Sequence, residues 1–288
     1  MALISNILFP VDFSPSCVGM AAYVKRAAVI LGARVSLVHV VDQGSYNGFE
    51  LYLRAAPEIS EERWLIAREK LDSFLTADFS PGECPRVLLS GDAATEIAKV
   101  ARDRGFDLIV MPTYAGIFRR MLLGSTTAKV LNDADCPVIT SRHAETIAPR
   151  PLEHREWLCA IGMGENSERV LRFAVESAAQ ARGRLSIVHA VQAVDKKLPV
   201  DLDLEDQLQA AEREQARRRI AELQRIAGSN AAVHIVAGQV KDALLEAVRR
   251  FDADVFVIGR SPHPGAVGRL RDLTYAMIRD SPFPVISV

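Results

Sequence analysis

A chain of 288 residues is longer than one hydrophobic core comfortably fills, so its length predicts about two domains. With 49% hydrophobic and 25% charged residues and a net charge of -1, the composition excludes a general electrostatic grip on nucleic acid and supplies no pull towards a membrane surface. No apolar run approaches the ~20 residues needed to span a bilayer.

The opening residues, MALISNILFPVDFS, have no basic start and no small-residue cleavage site. They are therefore read as a first strand, and the chain is expected to stay in the cytoplasm. Cys17, Cys84, Cys136 and Cys159 are scattered, with no C-x-x-C and no histidine pair nearby, so neither a zinc site nor a disulfide framework is expected. Cys17 follows the first strand closely and reads as a small buried thiol, the alternative being a partly exposed one.

In chain order, Ile4 to Val11 predicts a strand, followed by the turn 12–16. Apolar residues at 20, 24, 27, 28 and 31 predict a helix from Val18 that ends at Gly32. Arg34 to Val41 is a second strand, and a long charged helix follows from about Glu58 to Ala77. Arg86 to Leu89 is a third strand, and Asp92 to Arg104 a third helix closed by Gly105. The run Leu108 to Met111, apolar without alternation, predicts a buried parallel strand stopped by Pro112. Beyond a linker holding Tyr114, Gly116, Arg119 and Arg120, Gly124-Ser125-Thr126 opens an amphipathic helix through Leu131. Val138 to Thr140 is the last strand of this half. Strands separated by crossover helices require parallel pairing, so the fold class is an open doubly wound α/β sheet of five strands in the order 3-2-1-4-5.

The second half repeats the first. Residues 90–107 correspond to 237–254, and 136–139 to 283–286, both at an offset of 147; 4–12 match 154–162, and 37–40 match 187–190, at an offset of 150. Two copies of one domain fit the chain, joined near 141–155, where Pro149, Pro151 and mixed charges break every pattern. In the helix predicted from Leu202 to Ala227, Arg217, Arg218 and Arg219 alternate with Glu212, Glu214 and Glu222, which reads as a solvated face.

In open parallel sheets, ligands lie beyond the carboxyl ends of the strands where the order reverses, here between the first and fourth strands. Asp12 leaves strand one and the 112–126 loop leaves strand four, so both are expected at one crevice. A helix start with outward-pointing amides is an anion site, although Gly-Ser-Thr is equally the signature of a plain N-cap. Asp12 can bind an adenine amino group or ribose hydroxyls, or it can serve its own turn as an Asx residue. His39 and His189 sit at matching strand ends and read as packed or backbone-bonded. Neither G-x-S-x-G, H-E-x-x-H nor a kinase signature occurs. Trp64 and Trp157 have no aromatic companions suited to base stacking.

Val-Asp-Phe-Ser after the first strand, Leu-Val-His-Val in the second, and Phe-Arg-Arg-Met-Leu-Leu-Gly-Ser-Thr-Thr-Ala-Lys-Val-Leu followed by Asp-Cys-Pro-Val-Ile resemble the universal stress protein family. The resemblance covers the chain as a tandem pair, with domains at 1–143 and 154–288. It implies a Rossmann-like fold of the adenine nucleotide alpha hydrolase type, ATP or another adenine nucleotide as ligand with Mg accompanying it, domain pairing and homodimers through the last strands, and a role in stress survival without a settled reaction. ATP-binding members use a G-x2-G-x9-G-[ST] loop and the first-strand aspartate. Carried over by position, Asp12 and Val40 would flank base and ribose, Met111, Pro112, Ala115 and Gly116 the ribose-phosphate turn, and Gly124, Ser125 and Thr126 the phosphates. The family's first loop glycine is Pro112 here, the second falls at Ala115 or Gly116, and the loop is one residue shorter.

In the second half the aspartate position holds Gly162, Gly-Ser becomes Arg271-Asp272, and Gly259 keeps the first loop glycine. This half is expected not to bind ATP, and Arg260, Arg269 and Arg271 are read as surface residues, the alternative being a site for another anion. The expectation is a nucleotide-binding sensor that is not a conventional enzyme. Its rivals are a ligand-free interaction scaffold and slow ATP hydrolysis or autophosphorylation at Ser125 or Thr126.

Overall fold

The computed structural model describes residues 3–42, 57–113, 123–141, 150–192, 202–260 and 272–288. The chain divides into two compact units, one built on Ile4–Ile139 and the other on Ile147–Val288. In the N-terminal unit the elements are β1 (Asn6–Pro10), α1 (Pro15–Leu31), β2 (Arg34–Asp42), α2 (Pro57–Ser73), β3 (Arg86–Gly91), α3 (Ala93–Asp103), β4 (Leu108–Pro112), α4 (Ser125–Asp133) and β5 (Val138–Ser141). Their strands follow the order β3-β2-β1-β4-β5. Pairing of β1 with β2 and β4, and of β2 with β3, is parallel.

The C-terminal unit has β6 (Glu156–Ala160), α5 (Ser167–Gln180), β7 (Arg184–Gln192), α6 (Leu202–Ala227), β8 (Ala232–Gly238), α7 (Val240–Arg250), β9 (Val255–Ile258), α8 (Asp272–Asp280) and β10 (Val285–Ser287). Its order, β8-β7-β6-β9-β10, is the same topology built a second time. The segment predicted as a featureless linker is shorter than expected: Arg150–Glu153 forms a 3-10 helix, and the Arg155 amide is already tied into the second sheet.

Unbroken apolar sequence explains the central strands. Every residue from Leu108 to Met111 is buried, as is every residue of Val255–Ile258, because helices cover both faces of a parallel sheet. The helices begin and end on local chemistry. Ser14 caps α1, its hydroxyl accepting from the Cys17 amide, and Pro15 follows it at the first helical position. Gly32 ends α1 at φ 62°, a left-handed conformation that costs glycine little. Asp92 caps α3 by accepting from the amide and hydroxyl of Thr95, and these bonds, with the Lys129 ammonium, hold its pKa down to about 2.

The strand that opens each unit is fixed to the fourth by one aspartate. The Asp107 carboxylate accepts from the amides of Ser5 and Asn6 at 2.8 and 2.9 Å, while the Asp107 amide donates to the Asn6 carbonyl at 3.0 Å. Asp254 repeats the arrangement with Arg155 and Glu156, at 2.8 and 2.9 Å, and its own amide donates to the Glu156 carbonyl. Replacing either carboxylate by alanine leaves two amides at a half-buried strand entry without their charged acceptor. Asp107→Ala and Asp254→Ala are each expected to lower the unfolding free energy by about 3 kcal/mol, read from urea denaturation of the full chain.

Candidate functional site

The carboxyl ends of β1 and β4 open onto a crevice of about 210 Å³ in the N-terminal unit. Seven of the nine residues proposed from sequence line it: Asp12, Val40, Met111, Pro112, Gly124, Ser125 and Thr126. The other two, Ala115 and Gly116, lie outside the described residues, as do Arg119, Arg120, Arg269 and Arg271. Strand order accounts for the convergence. In a parallel sheet wound outward from its first and fourth strands the crossovers go to opposite faces, so a gap opens where they part.

Asp12 follows β1 as an Asx residue. One carboxylate oxygen accepts from the Ser14 amide at 2.9 Å and from the Cys17 thiol at 3.1 Å. Partial desolvation by the surrounding walls would raise its pKa, but the hydrogen bonds from Ser14 and Cys17 outweigh it and hold the carboxyl below the usual carboxylate range. Asp12 is therefore ionised at neutral pH, and its side chain is exposed. Cys17 is buried, and desolvation together with the Asp12 charge pushes its pKa up to about 12, so it is a hydrogen-bond donor and no nucleophile.

The first turn of α4 supplies the other side. The Gly124 amide is spent on the Thr113 carbonyl at 2.9 Å. No side chain caps the helix at Gly124, and no acidic residue stands in its first turn. The amides of Ser125, Thr126 and Thr127 have no acceptor within the helix and lie at the positive end of its dipole. Pro112 contributes no amide, but its carbonyl accepts from the Thr127 hydroxyl at 3.1 Å, which ties the end of β4 to the helix start. Thr274 makes the same bond to Gly259 at 3.2 Å in the C-terminal unit.

Two further residues pack together beside the end of β1. His39 Nδ1 is 2.7 Å from the Val11 carbonyl; a carbonyl only accepts, so Nδ1 carries the proton and a neutral ring presents Nε2 as an acceptor. His189 repeats this bond to the Ile161 carbonyl at 2.7 Å. Phe13, which sequence reasoning passed over as part of a turn, adopts φ 63° and packs its ring 4.3 Å from His39 and 5.1 Å from Phe74, with the Lys70 ammonium 4.6 Å away. Left-handed backbone on a bulky residue costs about 1–2 kcal/mol, and here the aromatic contacts fix it. The signal was available as a phenylalanine in a turn otherwise made of Asp, Ser and Pro.

In the C-terminal unit the equivalent crevice is larger, about 640 Å³, and Gly162, Gly259 and Arg260 are among its lining residues. One expectation is overturned here: Arg260 is 5% exposed and no surface residue, because the chain leaves β9 inward, its amide donating to the Val288 carbonyl at 2.7 Å. Among the described residues, no group of three or more His, Cys, Asp or Glu is placed to hold a metal ion, and no helix is long and apolar enough to cross a membrane.

The family model for universal stress proteins matches residues 4–142 and again 155–288. The chain belongs to the universal stress protein family. It is similar to a universal stress protein of Methanocaldococcus jannaschii, 26% identical over 149 residues, which span 46% of this chain and 92% of that protein. It is also similar to one from Thermus aquaticus, 31% identical over 142 residues, spanning 49% of this chain and all of that protein. Each of these relatives thus equals about half of this chain. The crystal structure of a universal stress protein from Archaeoglobus fulgidus matches 98% of this chain and 97% of its own at a TM-score of 0.67 and 22% identity, which supports the tandem fold.

Burial is the main reason that the His39 pKa lies below the ordinary 6.5; the Lys70 charge lowers it further, against the Val11 bond and the Asp12 charge. Because the folded state disfavours the charged ring, its stability contribution is complete above pH 6.5 and is lost as pH falls from 6.5 through the lower folded value. Urea unfolding between about pH 5 and 7 is expected to show a smaller loss of stability on acidification in His39→Gln than in the parent protein. Among the four thiols, burial raises Cys17, Cys84 and Cys159, whereas Cys136 is partly exposed. Iodoacetamide at mildly alkaline pH, followed by peptide mass spectrometry of the native protein, should label Cys136 first.

Proposed function

We propose that the N-terminal crevice takes an adenine nucleotide, ATP or a close relative, as a sensing or stabilising ligand in a stress response. The observation that carries this reading is the meeting, across one gap, of an ionised carboxylate at the end of β1 and an uncapped helix start after β4. Its volume, about 210 Å³, lies below the ~300–1,000 Å³ of typical small-molecule sites. The enclosed part therefore suits the base or ribose, with phosphates led outward over the first turn of α4. Asp12 accepts from hydroxyl or amino groups, Val40 and Met111 pack against the base, and the 125–127 amides meet phosphate oxygens. Asp12 is the one carboxylate among the described residues that line this crevice, so an accompanying magnesium ion would be held chiefly by phosphate oxygens and water.

The role is binding rather than conventional catalysis. The described lining residues offer Ser125 and Thr126 two candidate bases, Asp12, whose lowered pKa makes it a poor proton acceptor, and His39, whose pKa burial also lowers. A second reading, an interaction scaffold with no nucleotide, is favoured by Asp12 already serving its own turn and by the proline in place of the loop's first glycine. The C-terminal crevice does not take ATP in this proposal, since Gly162 stands for the aspartate and α8 starts on Asp272. Calorimetry with ATP, ADP and AMP on protein shown by mass spectrometry to be nucleotide-free tests it. Saturable micromolar binding that weakens at least about tenfold in Asp12→Ala and in Gly124→Asp is the expected result; heats indistinguishable from dilution for all three nucleotides favour the scaffold.

A further inference from the structure

The two units differ in how they treat their outer strands. Among the described strands, β3 pairs only with β2 and β8 only with β7, so each presents a free edge. β3 is guarded. Val87 and Leu88 are buried, and Arg86 sends its guanidinium to the carbonyls of Leu71, Phe74, Phe79 and Cys84. At the place of Arg86, 147 residues later, β8 has Val233, and its seven residues include no Lys, Arg, Asp, Glu or Pro. None of the seven is buried, and Ala232 and Ala237 are exposed. Charges and prolines are what natural edge strands use to refuse partners, and a neutral, β-branched strand without them is a template for pairing. The strand is also held in place: the Gln224 side-chain amide donates to the Ala231 carbonyl at 2.8 Å, the Ala231 amide donates to the Ser229 hydroxyl at 3.2 Å, and His234 stacks on Phe251 at 3.9 Å.

We propose that β8 is an interaction surface whose partner is β8 of a second copy of this chain, the two strands pairing antiparallel about a twofold axis near Ile235. A row of unpaired amides and carbonyls is satisfied in full only by another extended strand. A twofold contact sets a surface against itself, so it is compatible only with a patch that does not repel its own image. β8 meets that condition. Its one titratable side chain, His234, is kept below its ordinary 6.5 by desolvation and then by the Arg250 charge, so the strand is neutral at pH 7. The neighbouring helix is self-complementary. α7 packs on β7 and β8 and runs back against the strand direction as a crossover helix does. Its exposed charges go from Asp242 and Glu246 near the start to Arg249 and Arg250 at the end. An axis that reverses β8 also reverses α7, so the acidic end of one copy lies towards the basic end of the other. This edge is distinct from the last strands, and the proposal does not depend on the nucleotide reading of the N-terminal crevice.

Sedimentation velocity of the full chain across a wide concentration series is expected to show reversible self-association. Ile235→Lys, which sets two ammonium groups opposite one another, should raise its dissociation constant at least about tenfold. Residues directly opposite in antiparallel strands stand about 4.5–5.5 Å apart at Cα, within the reach of a disulfide. In a Cys136→Ser background, Ile235→Cys treated with copper–phenanthroline should therefore give a reducible band at twice the 31.6 kDa of one chain. Val29→Cys in the same background, exposed on α1, should not. If Ile235→Lys proves unfolded by circular dichroism, the cysteine pair decides alone. A monomer at every concentration, a self-association that Ile235→Lys leaves unchanged, or cross-linking no greater in Ile235→Cys than in Val29→Cys overturns the proposal.

Discussion

Each unit rests on the pairing of its first strand with its fourth, and that pairing is clamped at one end and open at the other. At the entry end, Asp107 and Asp254 accept two backbone amides each while returning one through their own backbone. The strands cannot slip there without stripping a carboxylate of its donors. At the exit end the connections part to opposite faces of the sheet, as a sheet wound outward from its first and fourth strands requires. The crevice is the geometric remainder of a topology that reverses at this point.

Around that shared frame the duplicated units keep the bonds that hold the walls and change the groups that face the gap. His39 and His189 both donate from Nδ1 to the carbonyl that follows their neighbouring strand, and Thr127 and Thr274 both bind the carbonyl at the end of the fourth strand. These contacts fix the backbone at the strand ends in both units. Asp12 lines one crevice where Gly162 lines the other, and Arg260 is among the residues lining the second, so the two linings differ in their charged residues. Duplication thus left the scaffold under one constraint and released the lining from it.

Much of this was legible before the fold was known. Apolar runs without alternation located the buried strands, Ser14, Gly32 and Gly105 marked helix ends, and the offsets of 147 and 150 residues exposed the repeat. The alternation of strand with helix dictated parallel pairing, and the position of Asp12 and Gly124 after the first and fourth strands then predicted a common crevice. The exposed charges of α6 pair along the helix, Arg218 with Glu214 and Arg219 with Glu222, as their spacing required. All of these are local patterns or consequences of topology, and both are written in residue order.

Other properties had to wait for the folded chain. Whether Asp12 served its own turn or faced a ligand was open from its neighbours alone, and the structure shows it bound by Ser14 and Cys17 with its side chain still exposed. Arg260 reads as a surface residue in a basic segment, yet it is buried because the backbone after β9 is held by Val288 and Asn166, far away in sequence. The size of each crevice and the strained backbone of Phe13 were equally out of reach. The sequence by itself determined which residues repeat, which helices and strands they form and in what order the strands pair; only the tertiary structure decided which side chains lose water and what charge faces each gap. Periodicity is a property of neighbours along the chain, whereas desolvation is a sum over neighbours in space.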